Sequence, residues 1–311
     1  MKSEPLPDDI MVAAGQPGDM SNQDERARPV RSGGNVLDDS EFSKRVEHSI
    51  ITKYRQNIWR PFIKSLQDYQ LVNDGDKIAV CMSGGKDSAL LAKLMQELKR
   101  HSRTRFDLVF TVMDPGYSQD NLDIIKRNAE ALDIPINIFS TNIYDSVVKM
   151  GDAACYLCAR MRRGHLYKNA RAMGCNKIAL GHHYDDVIET ILLAMFYGGE
   201  IKTMMPKLKS RNFEGMELIR PLYQARESAI INWRDYHGLK FINCACRFQE
   251  NCIIDGEGEG KRAEVKRLLN DLRLRNPTIE KNIFRSMENV NIDAVIGTKL
   301  PSGRRSFLLD Y

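Results

Sequence analysis

Apolar positions along the chain switch repeatedly between two periods. Lys77 to Cys81, Asp107 to Met113, Ile134 to Phe139, Asn176 to Leu180 and Leu218 to Leu222 are short apolar runs of strand length. Between them lie stretches with helical spacing: Asp87 to Arg103, where Leu90, Leu91, Leu94 and Leu98 share a face, then Asn121 to Leu132, Val187 to Phe196 and Gln224 to His237. Short strands alternating with helices predict βαβ units, an α/β fold in which a parallel sheet carries helices on both faces. Helical additions flank that pattern. Glu41 to Gln70 reads as a helix interrupted near Pro61, with Val46, Ile50, Tyr54, Ile58 and Phe62 along one side. Lys261 to Met287 reads as two basic helices separated at Asn276-Pro277, after a linker of glycines and acids at Gly256 to Gly260. Lys202 to Arg211 reads as a basic loop, and Lys299 to Tyr311 shows no clear element. The organisation expected is a flexible tail over 1–40, an N-terminal helical segment over 41–75, an α/β domain over 76–255 and a basic helical segment over 256–311.

Composition narrows the class. The chain has 311 residues, 42% of them apolar, enough for a sizeable globular core. Its net charge of +5 is uneven: residues 1–40 hold four Lys or Arg against eight Asp or Glu, which leaves +9 on the remainder. A basic folded part suits a polyanionic partner such as nucleic acid. No apolar run has the length of a membrane span or the pattern of a secretory signal, so a cytoplasmic protein with no membrane partner is expected. Seven cysteines in a reducing compartment point to metal or redox chemistry and away from a disulfide framework.

The chemistry concentrates at strand ends, where ligands of such folds bind. Ser83-Gly84-Gly85-Lys86-Asp87-Ser88 follows the first strand and opens a helix. Adjacent glycines let the backbone approach a bound group, and the helix start offers free N–H groups to an anion. Lys86 adds a positive charge, Ser83 and Ser88 add hydroxyls, and Asp87 can hold a metal ion or cap the helix. The spacing is not that of a Walker loop, which needs Ser or Thr directly after the lysine. Asp114 closes the second strand, where turn chemistry with Pro115 and Gly116 and a nucleotide contact are equally consistent. Gly181-His182-His183-Tyr184-Asp185-Asp186 repeats the design at a later strand end. Its carboxylates, with Glu189, suit either helix capping or Mg2+ bound through substrate phosphates.

Cysteines make the second set. Cys155-Tyr-Leu-Cys158 stands at a helix start, able to aim two sulfurs at one ion, with Arg160, Arg162, Arg163, Lys168 and Arg171 following. That basic run is a solvated face or a phosphate contact. Cys244-Ala-Cys246 is a second pair, of which one member is expected to be a ligand. Cys81, Cys175 and Cys252 lack such spacing and read as structural.

Ser83 to Ser88 resembles the PP-loop of ATP pyrophosphatases. With the Cys155 to Gly164 run, Gly181 to Thr190, Phe196-Tyr-Gly-Gly199 and Cys244 in the same order, about Arg45 to Arg285 resembles the tRNA 2-thiocytidine synthetase family. The resemblance implies an adenine nucleotide alpha hydrolase-like fold and a PP-loop ATP pyrophosphatase domain over 76–255. It implies adenylation of the C2 oxygen of cytidine 32 in tRNA and its replacement by sulfur, with ATP converted to AMP and pyrophosphate. It also implies a [4Fe-4S] cluster on Cys155, Cys158 and Cys244, with one iron open for sulfur. Ser83, Gly84, Gly85, Lys86, Asp87 and Ser88 would bind the ATP phosphates with Mg2+, and Gly181, His182 and Asp186 would form the second nucleotide motif. Lys86, Asp87 and the three cysteines are then the catalytic set, and tRNA, a sulfur donor such as a cysteine desulfurase and a second copy of the chain are the partners. The family's second Cys-x-x-Cys is here Cys244-Ala-Cys246, so Cys246 rivals Cys244 as third ligand. Two other readings use the same residues: a PP-loop thiolase acting on another base or through a cysteine persulfide without iron, and a zinc-stabilised nucleotide-dependent RNA-binding module.

Overall fold

The computed structural model describes residues 39–141, 143, 154–242, 260–300 and 302–309. The expected tail therefore lies almost wholly outside the described residues, although Asp39 and Ser40 already belong to the first helix. The described residues group into two compact units, one drawn from Met1–Tyr184 with Pro206–Asp255 and one from Asp185–Met205 with Gly256–Tyr311.

The first unit is built on a six-stranded sheet. Its strands are β1 (Lys77–Met82), β2 (Asp107–Asp114), β3 (Ile136–Ser140), β4 (Lys177–Ala179), β5 (Lys207–Lys209) and β6 (Glu217–Ile219), in spatial order β3-β2-β1-β4-β6-β5. All pairs are parallel except β5 with β6. Alternation along the strands fills two cores. Ile78, Val80 and Met82 of β1 join one cluster with Phe110, Ala179 and Ile219, whereas Ala79 and Cys81 face another with Ile178 and Leu218. On the first face lie α1 (Asp39–Ile51), α2 (Arg60–Asp68), α3 (Lys86–His101), α4 (Gln119–Ala131) and, later in the chain, a helix at Glu227–Tyr236. On the second face lies α5 (Ala154–Ala172), through Tyr167 and Ala170. The α/β sheet with helices on both faces is thus present, and after its opening lysine the central strand β1 is apolar from Ile78 to Met82 because both sides are covered. Leu90, Leu91 and Leu94 of α3 are fully buried, each contributing on the order of 2 kcal/mol.

Two elements depart from the sequence expectation, and a third is sharpened by the structure. The N-terminal break lies just before Pro61. The helix stops at Ile51, makes a π turn over Arg55–Trp59, and restarts with Pro61 in the first turn of α2. A proline there loses no hydrogen bond, because first-turn N–H groups have no intrahelical partner. The expected basic loop at 202–211 contains β5, whose Leu208 pairs with Leu218. Lys-Leu-Lys is too short and charged to read as a strand, and flanking lysines are what an edge strand tolerates. The chain end, read as featureless, forms a hairpin of β7 (Gly297–Leu300) and β8 (Gly303–Ser306) in the second unit. Only mutual pairing satisfies those backbones.

The second unit also contains α6 (Tyr184–Gly198), apart from its first residue, α8 (Lys261–Arg275) and α9 (Ile279–Ser286); the helix Glu227–Tyr236 of the first unit is α7. Among the described residues no helix is long and apolar enough to cross a membrane.

Candidate active site

The glycine turn sits between β1 and α3, at the carboxyl end of a central strand. Gly84 has φ of +81°, a conformation that strains any residue with a Cβ. A Cβ there would also stand 2.7 Å from Ile242 Cδ1 and 2.8 Å from Ile125 Cγ1. Gly85 caps α3 in an extended conformation, and a Cβ on it would meet nothing closer than Ser83 Oγ at 3.6 Å. One glycine is therefore required by the fold, while the other keeps open the space before the helix.

Ser88 is spent inside the loop. Its hydroxyl donates to Gly85 O at 3.0 Å and accepts from the Ser83 N–H at 3.1 Å, which holds the turn closed around the first helical residues. The first-turn N–H groups of α3 point out of that braced turn without intrahelical acceptors. Lys86 stands at the same edge. Its Nζ lies 3.1 Å from Glu227 Oε1 of α7 and 3.2 Å from the Asp87 carboxylate, with only 17% of the side chain exposed. Buried His183 places Nε2 at 3.9 Å from Asp87 Oδ1. Two carboxylates thus orient one ammonium, and an anion arriving at the turn would meet a positioned positive charge.

In front of this edge opens a cleft of about 560 Å³, within the range of nucleotide-sized pockets. Gly85, Lys86 and Asp87 form one side; Arg234 with its partner Asp235, Leu239, Lys240, Phe241 and Ile242 line the rest.

The other predicted residues fall in different places. Asp114 Oδ1 accepts from the N–H groups of Gly116 and Tyr117, both at 2.8 Å, so this oxygen holds the turn after β2. Tyr117 Oη then donates to Ser83 O at 3.4 Å and ties that turn to the glycine loop. Gly181 follows β4, and a Cβ on it would lie 3.1 Å from Asp87 C and Ser88 N. Its lack of a side chain lets the second strand end sit against the start of α3, with His182 and His183 next in the chain. Asp186 belongs to the second unit, where Arg262 of α8 reaches Asp186 Oδ1 and Glu189 Oε2 at 2.7 Å each. Arg273 likewise stands 3.4 Å from Asp185 and pairs with buried Glu280.

Among the cysteines, Cys155 and Cys158 fall in the opening turns of α5. Cys244 and its rival Cys246 lie outside the described residues, as does Cys252. Cys81 and Cys175 are buried. Burial, with Cys175 nearby, pushes the Cys81 thiol up to about 12, which leaves it protonated and inert.

Glu227, Tyr117, Arg234 and Lys240 were not legible as site residues. Glu227 is an ordinary first-turn acid of its helix, and no local pattern links it to Lys86, 141 positions away.

A family model described as a PP-loop domain matches residues 55–251. The tRNA-cytidine(32) 2-sulfurtransferase of Pelobacter propionicus is 36% identical over 231 residues, covering 73% of this chain and 83% of its own. The enzyme of the same name from Vibrio cholerae is 38% identical over 245 residues, covering 76% and 75%. Among solved structures, the U34-tRNA thiolase NcsA of Methanococcus maripaludis, determined with its [4Fe-4S] cluster, superposes with a TM-score of 0.59 at 23% identity. It covers 80% of this chain and 79% of that one, a likeness of fold.

Proposed function

The chain belongs to the PP-loop family, among the tRNA-cytidine(32) 2-sulfurtransferases, and on that premise we propose that it is an ATP-dependent tRNA thiolase acting at C2 of cytidine 32. The observation that carries the reading is Lys86, held by Asp87 and Glu227 at the mouth of the glycine turn and facing a cleft of nucleotide size.

The roles follow from that geometry. The N–H groups of the α3 start and Lys86 bind the phosphates of ATP, and Asp87 shares Mg2+ with them. Cytidine O2 attacks the α-phosphorus, an O–P bond forms, and the bond to the β-phosphate breaks with release of pyrophosphate. Lys86 stabilises the charge that develops on that leaving group. The oxygen, poor as a leaving group until then, departs as AMP when sulfur bonds to C2. The three thiols that would hold a cluster are those of Cys155 and Cys158, in the opening turns of α5, with Cys244, and a helix start favours thiolates. A [4Fe-4S] group on these three cysteines would supply a site for the incoming sulfur. Sulfur itself comes from a donor such as a cysteine desulfurase. The protein works in the cytoplasm, where tRNA is modified.

The test compares wild type with Lys86→Ala, both purified without oxygen and supplied with ATP, unmodified tRNA and a sulfide source. Wild type should form AMP, pyrophosphate and 2-thiocytidine at position 32; the variant should lose AMP formation by at least a hundredfold and keep its iron. AMP release at the wild-type rate in Lys86→Ala would remove the lysine from the reaction. A product other than 2-thiocytidine would move the activity to another base.

A further inference from the structure

Two basic stretches that are far apart in the chain meet on the second face of the sheet. Helix α5 and the β5–β6 hairpin flank a groove of about 700 Å³. Its floor is apolar, formed by Met161, Tyr167, Leu208 and Phe213. The Tyr167 and Phe213 rings stack with centroids 5.4 Å apart and planes 18° from parallel. Leu208 is 44% exposed, so the floor is open to a partner.

The rim is cationic. Arg163 comes from α5, Lys209 and Arg211 come from the hairpin, and no Asp or Glu lines the groove. The three rim cations make no ion pair among the described residues. Neighbouring Lys207 is different: its Nζ donates to Gln70 O at 3.0 Å and lies 3.3 Å from Glu217. Uncompensated cations around a flat apolar floor suit a polyanion that also carries flat faces, and a single strand of nucleic acid has both. A bilayer surface would meet the rim cations but would offer no flat ring to lie on the floor between them.

We propose that this groove binds an RNA strand, with phosphates at Arg163, Lys209 and Arg211 and an unstacked base over Leu208 and Phe213. The proposal rests on the thiolase reading in taking that strand to be part of the tRNA substrate. Its position agrees with that role, because Arg163 is five residues beyond Cys158 on the same helix, about 7.5 Å along the axis.

The experiment uses the full-length protein carrying Arg163→Gln, Lys209→Gln and Arg211→Gln together, and fluorescence anisotropy with an unmodified tRNA transcript across a salt series. Each phosphate contact in a single strand contributes about 0.7 to the slope of log affinity against log salt, so the triple variant should lose about 2 from that slope. Its affinity near 0.1 M salt should fall at least tenfold, with ATP binding unchanged. Lys126→Gln with Arg127→Gln, exposed cations on α4 at the other face, should leave both slope and affinity as in wild type. Wild-type slope and affinity in the triple variant would overturn the groove while leaving thiolation intact, whereas failure of wild type to bind tRNA even at low salt would overturn the groove and the thiolase reading together. Loss of RNA affinity in the variant alongside a wild type that makes no 2-thiocytidine would sustain the groove and sink the thiolase reading. Unchanged tRNA binding with lost binding to phosphatidylserine vesicles would reassign the surface to membrane. Photocrosslinking of wild type to 4-thiouridine RNA does not depend on how the variant folds: adducts should map to Met161–Tyr167 or Leu208–Phe213, and adducts found only elsewhere would refute the assignment.

Discussion

Replacing Gly84 and Gly85 by alanine, one at a time, separates what the glycine turn does for the fold from what it does for a ligand. At Gly84 the backbone conformation with φ of +81° costs an L-residue about 1–2 kcal/mol. The new methyl would lie 2.7 to 2.9 Å from atoms of Ile242 and Ile125, both buried, which adds about 1–3 kcal/mol of overpacking. Gly84→Ala should therefore destabilise the first unit by about 2–5 kcal/mol. At Gly85 the nearest atom is 3.6 Å away and φ is −91°, so the cost is that of a poorer helix cap, up to about 1 kcal/mol. That methyl instead enters the space where a phosphate would approach the α3 start. Urea unfolding followed by tryptophan fluorescence reads the first effect cleanly, because both tryptophans, Trp59 and Trp233, belong to the first unit. Isothermal titration with ATP reads the second. Gly84→Ala should unfold early; Gly85→Ala should unfold near wild type yet bind ATP at least tenfold more weakly. A Gly84→Ala protein within about 0.5 kcal/mol of wild type would refute the steric reasoning, a margin no larger than an ordinary surface change. Full ATP affinity in Gly85→Ala would refute the placement of the phosphate.

Lys93 is fully buried, and its Nζ donates to Ser43 Oγ at 3.1 Å, Glu47 Oε1 at 2.5 Å and Leu132 O at 2.7 Å. Lys93→Met leaves the Glu47 charge half-satisfied and should cost about 3–5 kcal/mol in urea unfolding. Lys93→Met with Glu47→Leu should recover much of that loss; equal instability of single and double variants would show that the ion pair is not the cause. His237 should make the first unit acid-sensitive. Burial, then the nearby charges of Arg45 and Lys53, lower its pKa from 6.5 to about 4, while its Nε2 stays 2.8 Å from Ser49 Oγ. Between those two values the unfolded chain binds a proton that the native one refuses, so stability is full above the unfolded value and falls as pH drops through the window. The ring is partly exposed, so the loss by pH 5 is on the order of 1 kcal/mol after screening. Unfolding midpoints at pH 7.5 and 5 check this, and His237→Asn should flatten the difference; an unchanged pH slope in that variant would exclude His237 as its source.

Much of the architecture was legible because its signals are local. Strand-turn-helix punctuation at Met82 to Lys86 depends on neighbouring residues alone, and helical periods such as Leu90, Leu91, Leu94 and Leu98 survive into the structure as one buried face of α3. Burial on both faces of β1 likewise follows from an unbroken apolar run. What failed locally was pairing. β5 and the β7–β8 hairpin exist only because a partner strand satisfies their backbones, and Lys-Leu-Lys carries no trace of that partner.

The site divides along the same line. From the sequence alone came the glycine turn at a helix start, its lysine and the cysteine pair, since glycines, charge and spacing act over a few residues. Tertiary structure decided which distant groups surround them. It set Glu227 beside Lys86, used Ser88 to brace the loop, and made Gly181 a contact point for α3. It engaged Asp186 and Glu189 with Arg262, and joined Arg163 to Lys209 and Arg211 around one floor. The physical reason is common to all of these. Secondary structure is selected by interactions along the chain, whereas ion pairs, close approaches and grooves arise where chain order no longer determines distance, once the two hydrophobic faces of the sheet have been covered.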